Sequence, residues 1–173
     1  MRGEALTWIR SNRAIRLAVV LASFALAQDA AMAQIGGLEP VLGDWRGRGT
    51  AREYPGGAPE AVLCRASNSA EGRRITSNAT CNAASGRMLL STNVRFESGR
   101  FSGAYQRTLL ARDTRDRGVI TGFRVRDGSF RFELASNIAR SVLTLTVEGR
   151  TAYTLGVADA ESGEVLLNIR FTR

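Results

Sequence analysis

The stretch VLGDWRGRGTARE (residues 41–53) decides the fold, because its residue types alternate with a period of two. Successive side chains of a β-strand point to opposite faces. Gly43, Trp45, Gly47 and Gly49 therefore share one face of a predicted strand, and the arginines between them share the other. One large ring flanked by residues without side chains is typical of a tightly curved strand at the end of a barrel. We expect Trp45 to fill the core there and the arginines to face water.

The same period-two alternation recurs through the rest of the chain, while helical periodicity is nearly absent, which predicts an all-β fold. Short turns separate the predicted strands. This pattern indicates an antiparallel up-and-down meander of about eight to ten strands. Closure into a barrel removes exposed sheet edges, so we expect a barrel, with a two-sheet β-sandwich as the alternative.

The hairpin from Gly118 to Ala135 contains Asp127-Gly128, a residue pair that favours a type I′ turn. That turn places Val125, Phe123 and Thr121 opposite Phe130, Phe132 and Leu134, respectively. One side of the hairpin is then almost wholly apolar. Ordinary core packing is the favoured interpretation of the phenylalanines, and four residues of the hairpin are the candidate wall of an internal cavity: Phe123, Phe130, Phe132 and Leu134.

The two cysteines, Cys64 and Cys81, are predicted to form a disulfide. Glycine at the first position of a two-residue turn favours type II′, and Gly72-Arg73 fits that pattern. Counting outward from this turn places Cys64 directly opposite Cys81, within reach of a bond. A free catalytic thiolate is the alternative, but the chain has no histidine to activate it.

Residues 1–33 have the three parts of a secretory signal peptide. A leader with four arginines precedes the apolar run Leu17–Ala27, and Ala31-Met32-Ala33 supplies the small residues of a cleavage site. We expect cleavage after Ala33, a periplasmic or secreted location, and no transmembrane segment in the mature chain, since a spanning helix needs about 20 apolar residues. Residues 34–40 would then form an N-terminal arm and residues 41–173 a single barrel domain.

The charge and the missing residue types limit the chemistry. The net charge is +8 and every basic residue is arginine, which favours an anionic envelope component as a partner. Without histidine, Ser-His-Asp and Cys-His catalysis and histidine-ligated metals are excluded. Two carboxylate pairs, Asp113 with Asp116 and Glu161 with Glu164, fall in stretches that read as solvated turns. We therefore predict no catalytic residue, no metal site, no cofactor, no nucleic-acid partner and no enzyme activity.

Gly43-Asp44-Trp45 resembles the Gly-x-Trp motif of the lipocalins and the wider calycin group. The resemblance implies a calycin-like barrel in which the tryptophan closes one end and an arginine near the end of the domain, here Arg170, packs across its ring. Most of the chain after residue 33 also resembles a set of small exported alphaproteobacterial proteins, through Gly-x-Trp-x-Gly-x-Gly, Cys64-Arg65-Ala66, Cys81 and Phe101-Ser102-Gly103. That second resemblance implies export, the disulfide and β architecture, and no active site.

Two functions remain as expectations for a monomeric protein of this kind. In the first, the barrel holds a small apolar or amphiphilic, lipid-like molecule of the cell envelope. In the second, the protein acts through its surface, either by docking an anionic envelope component on its arginine-rich faces or by inhibiting a protease with the arm at residues 34–40. The interior volume separates the two functions, because only the first needs a cavity.

Overall fold

Ten antiparallel β-strands make up most of the molecule. The computed structural model describes residues 35–110 and 113–173, so the predicted leader and its cleavage site lie outside the described residues. The strands, in chain order, are β1 Gly43–Ala51, β2 Glu60–Glu71, β3 Arg74–Ala83, β4 Gly86–Glu97, β5 Arg100–Leu109, β6 Thr114–Arg126, β7 Ser129–Ser136, β8 Arg140–Glu148, β9 Ala152–Asp159 and β10 Val165–Thr172.

Every strand pairs with its neighbours in sequence, and β1 pairs with β10 to close the sheet into a barrel. The predicted up-and-down barrel is confirmed, and the sandwich alternative is wrong. One 3₁₀ turn spans Glu39–Val41, just before β1. That turn is far too short to cross a membrane, and no other helix of the described residues could do so.

Trp45 packs at the end of the barrel where β1 begins, which we call the closed end. Its side chain is 2% exposed, and its Nε1 donates a hydrogen bond to the Val41 carbonyl oxygen at 2.8 Å. The Tyr153 ring meets the indole edge-on with 4.8 Å between ring centroids. Asn68 Nδ2 donates to the same Val41 carbonyl at 2.7 Å. The predicted core position of Trp45 thus depends on polar contacts as well as on packing.

Glycines let β1 curve around this end of the barrel. Gly43 opens the strand with a φ of 100°, a conformation that residues with a Cβ rarely adopt. Further along, a Cβ on Gly49 would lie 1.8 Å from the Asn168 carbonyl oxygen of β10. Substitution at either position would therefore strain the start of β1 or push β10 away.

The arginine that stacks on the indole is Arg173, and the prediction of Arg170 is wrong. The guanidinium carbon of Arg173 lies 4.5 Å from the centroid of the Trp45 ring, and its Nη2 donates to the Leu42 carbonyl at 2.6 Å. Arg170 points outward and pairs with Glu148 at 2.8 Å. The reason is strand parity, because Ile169 and Phe171 face inward on β10 and Arg170 between them cannot.

Residues 35–42 lie over the closed end and do not project as an arm. Ile35 is 3% exposed, and Leu38 and Val41 are also buried in the core cluster. A Cβ on Gly36 would lie within 3 Å of the Phe96 and Phe101 rings, so this segment packs tightly on the barrel. The segment that was expected to enter a protease is therefore part of the core, which removes the structural basis for the inhibitor hypothesis.

The buried phenol of Tyr153, beside Trp45, leads us to expect that the folded protein loses stability in alkaline solution. Burial raises the pKa of the Tyr153 phenol to about 12, from an ordinary value of 10.0. As the pH rises from about 10 to 12, the unfolded chain loses this proton while the folded chain keeps it, which favours unfolding. The free energy of unfolding should fall by about 2 kcal/mol more in the parent protein than in Tyr153→Phe over this range. Urea unfolding at stepwise pH measures the difference, and parallel curves for the two proteins would contradict it.

Candidate functional site

The end of the barrel opposite Trp45 is hollow, and we call it the open end. A cavity of about 210 Å³ extends into the barrel from the ends of β1, β3, β5, β7 and β9 and the starts of the strands between them. Its depth is lined by aliphatic and sulfur-containing side chains: Val62, Cys81, Met88, Leu90, Leu109, Leu134, Leu143, Leu155, Val157 and Leu167. The volume falls below the roughly 300–1,000 Å³ of drug-sized sites. The cavity therefore suits a small apolar molecule.

Of the four predicted wall residues, only Leu134 lines this cavity. Phe130 and Phe132 are buried beside Phe101, with ring centroids 6.0 and 5.4 Å from it, toward the closed end. Phe123 is 40% exposed on the outside of the barrel. The three phenylalanines are thus core or surface residues, and their assignment to the wall is wrong.

A β-bulge is the reason that Phe123 faces outward. Phe123 pairs with Arg131, Gly122 pairs with Phe132, and the register shifts between Arg124 and Arg126. Only Gly128 of the turn has a positive φ, 70°, whereas a type I′ turn requires Asp127 to have one as well. The extra residue in β6 moves the pairing by one position, and a shift of one residue exchanges the two faces of a strand.

The predicted disulfide forms one side of the cavity. Cys64 and Cys81 are paired across β2 and β3, and their sulfurs are bonded at 2.03 Å. The turn that sets this register also agrees with the prediction, since Glu71 pairs with Arg74 and Gly72 has a φ of 56°. Both cysteines are buried, and Cys81 lines the cavity. The bond thus ties together two strands of the hollow half of the barrel.

A buried carboxylate lies in the wall of the cavity. The Asp116 side chain is 3% exposed, and its Oδ2 accepts hydrogen bonds from Tyr105 Oη at 3.2 Å and from Arg107 Nη2 at 3.3 Å. Its Oδ1 has no hydrogen-bond partner among the described residues. The expectation that Asp116 lies in a solvated turn is wrong, because β6 begins at Thr114 and Asp116 faces the interior.

Tyr105 is held in its neutral form at this site. Burial raises the pKa of the Tyr105 phenol, a hydrogen bond donated by the Ser136 hydroxyl lowers it, and the negative charge of Asp116 raises it further. A neutral phenol donates its single proton, and here Asp116 Oδ2 accepts it. Tyr105 therefore occupies the same oxygen as Arg107 and leaves the other oxygen bare.

The mouth of the cavity has balanced charge. Three arginines and three carboxylates occur among its described lining residues: Arg52, Arg87, Arg107, Glu53, Glu60 and Asp116. Glu60 accepts hydrogen bonds from the Ser85 hydroxyl and amide, and these bonds hold the pKa of its carboxyl below the usual value. The described part of the mouth therefore presents polar groups to a ligand without a large net charge.

The predicted arginine-rich face is present on the outside of β10, β1 and β2. Arg46 lies directly opposite Arg65, and Arg48 lies directly opposite Arg170. Like charges in directly opposed positions repel each other. Arg170 is paired with Glu148, as described above. Binding of an anionic envelope component to this face stays a prediction.

The residues that sequence reasoning missed could have been found by strand parity. Ile120 is buried, so period-two alternation carried back along the chain places Asp116 on the inner face of β6. The same alternation from Phe101 places Tyr105 and Arg107 inside on β5. The run ARDTRDR (residues 111–117) concealed this pattern, because its density of charge is typical of a loop.

Known proteins provide no functional assignment for this site. No protein-family model matches the chain, and none of the curated proteins does. Among solved structures, the S-type phycobiliprotein lyase CPES from Guillardia theta is similar, with a TM-score of 0.48 and 12% sequence identity over 78% of this chain and 88% of that one.

Proposed function

We propose that this protein is an exported, non-catalytic barrel that binds a small apolar or amphiphilic molecule of the cell envelope in its open half. The observation that supports this most is the contrast between the two ends. The closed end is filled by Trp45 and residues 35–42, whereas the open end keeps an apolar cavity of about 210 Å³. Apolar clefts with a few placed polar groups are the usual form of small-molecule sites.

Two further observations support the non-catalytic and exported parts of the proposal. The chain has no histidine, so the Ser-His-Asp and Cys-His catalytic arrangements are excluded. The disulfide is typical of oxidising compartments, in agreement with the predicted leader. The cell envelope is such a compartment, and it is rich in amphiphiles.

Two tryptophan substitutions on β4 test the proposal with a matched control. Leu90 points into the cavity, and its neighbour Leu89 is 38% exposed on the outer face. Leu90→Trp adds an indole to a space that holds only a small molecule, so we expect affinity for a short amphiphile such as 1-octanol to fall by about tenfold or more. Leu89→Trp should leave the affinity within about twofold of the parent, since that side chain does not reach the cavity.

Isothermal titration calorimetry with 1-octanol measures all three affinities. Circular dichroism and urea unfolding show whether each variant keeps the parent fold. Equal binding by Leu90→Trp and Leu89→Trp would place the ligand outside the barrel, and no binding by the parent protein would argue against the cavity as a site for such molecules. Either result would contradict the proposed function.

A further inference from the structure

Asp116 Oδ1 is an acceptor without a donor. Its two described partners, Tyr105 and Arg107, both reach Oδ2, and the side chain is almost completely shielded from bulk water. Buried polar atoms in folded proteins are nearly always hydrogen-bonded to protein or to ordered water, so each exception needs a physical explanation. A bare carboxylate oxygen is among the more costly exceptions, because it is charged and strongly accepting.

Asp116 faces the interior of the barrel. Arg115 and Arg117, on either side of Asp116, are exposed, so Asp116 itself points inward and contributes to the cavity wall. Its neighbours on β5 already use the other oxygen. A molecule in the cavity would lie against Asp116, and a small turn of this side chain would bring the shielded Oδ1 to a donor that no described residue supplies.

The charge around Asp116 restricts what that donor can be. Arg107 already balances Asp116, and the described lining residues as a whole carry three positive and three negative groups. A fatty carboxylate would bring a second negative charge toward the bare oxygen, which like-charge repulsion opposes. An alkylammonium would leave an unbalanced positive charge in a largely apolar space. A neutral donor, such as a hydroxyl or an amide N–H, satisfies the oxygen without either penalty.

We propose that the ligand is a neutral amphiphile whose apolar part fills the cavity and whose head group donates a hydrogen bond to Asp116 Oδ1. This inference rests on the proposed function, because it assigns the polar end of the molecule that the cavity would hold. It makes Asp116 the residue that selects the ligand's head group, while the aliphatic lining accepts the chain.

Two probes of equal size test the head group directly. 1-Octanol and 1-methoxyheptane have the same number of non-hydrogen atoms, but only the alcohol has a hydrogen-bond donor. We expect the parent protein to bind the alcohol about tenfold to a hundredfold more tightly than the ether, which is the range for a hydrogen bond to a charged group. Octanoate, the anionic probe, should bind more weakly than octanol.

Asp116→Asn replaces an accepting carboxylate by an amide that can donate, and it keeps the shape of the side chain. Its amide can donate a hydrogen bond to the oxygen of either probe, so the preference for the alcohol should fall to about twofold or less. If the role of Asp116 were merely structural, Asp116→Asn would lower the affinity for both probes equally and leave the ratio of the two affinities unchanged. The comparison of the three probes on the parent protein needs no variant, so it stands even where Asp116→Asn fails to fold.

The outcomes separate this inference from the proposed function. Binding of neither octanol nor its ether by the parent protein contradicts the proposed function itself. Equal binding of the two, as expected where an internal water satisfies Oδ1, overturns the head-group inference and leaves the proposed function standing. Tighter binding of octanoate than of octanol also overturns the inference.

Discussion

Replacing Trp45 by alanine is expected to lower the free energy of unfolding by about 3–5 kcal/mol, the range for deleting a buried aromatic side chain. The indole is 2% exposed and contacts Tyr153 and Arg173, so its loss leaves a cavity at the centre of the closed end. It also removes one of the two donors to the Val41 carbonyl. Urea unfolding followed by circular dichroism measures the change.

Substitutions at two arginines serve as matched controls for this first prediction. Arg173→Ala removes the guanidinium above the indole and should cost about 0.5–2 kcal/mol, the range for a cation–π contact. Arg170→Ala removes only a surface ion pair and should cost about 1 kcal/mol or less. A loss below about 1 kcal/mol for Trp45→Ala, or a larger loss at Arg170 than at Arg173, would contradict the packing of the closed end.

Removal of the disulfide by Cys64→Ala and Cys81→Ala together is expected to destabilise the protein by about 3 kcal/mol. The bond joins residues separated by 17 positions, and closing a loop of that length restricts the unfolded chain. Both cysteines are buried, so packing losses add to the effect.

The single variants distinguish the covalent bond from side-chain packing. Either Cys64→Ala or Cys81→Ala alone prevents the bond, so each should lose most of what the double variant loses. Urea unfolding of the three variants without reductant gives the comparison. Single losses that are each about half of the double loss would show that packing, and not the cross-link, carries the stability.

Local patterns were sufficient to predict the fold and the disulfide. The register of β2 and β3 follows from one turn, because Gly72 admits the required φ and every pair outward from it is then determined, including Cys64 with Cys81. Trp45 lies in the core as predicted because the alternation in β1 is unbroken. These are cases in which the nearest few residues decide the geometry.

The wall of the cavity could not be predicted in the same way. Phe123 faces outward because of one extra residue in β6, and nothing in an alternating apolar sequence distinguishes a bulged hairpin from a regular one. Strand parity places Asp116 on the inner face, but the charge density of residues 111–117 is typical of a loop, and the partners that allow its burial, Tyr105 and Arg107, come from another strand. Arg173, by contrast, was predictable, since it has the same strand parity as Ile169 and Phe171.

Intermolecular NOEs between 1-octanol and the methyl groups of the protein test the ligand-binding cavity most directly. We expect contacts from the octanol chain to the inward-facing Leu90, Leu143 and Val157, which line the cavity on three different strands. Contacts only to the exposed Leu63, Leu89 and Val119, or no contacts at saturating octanol, would contradict it.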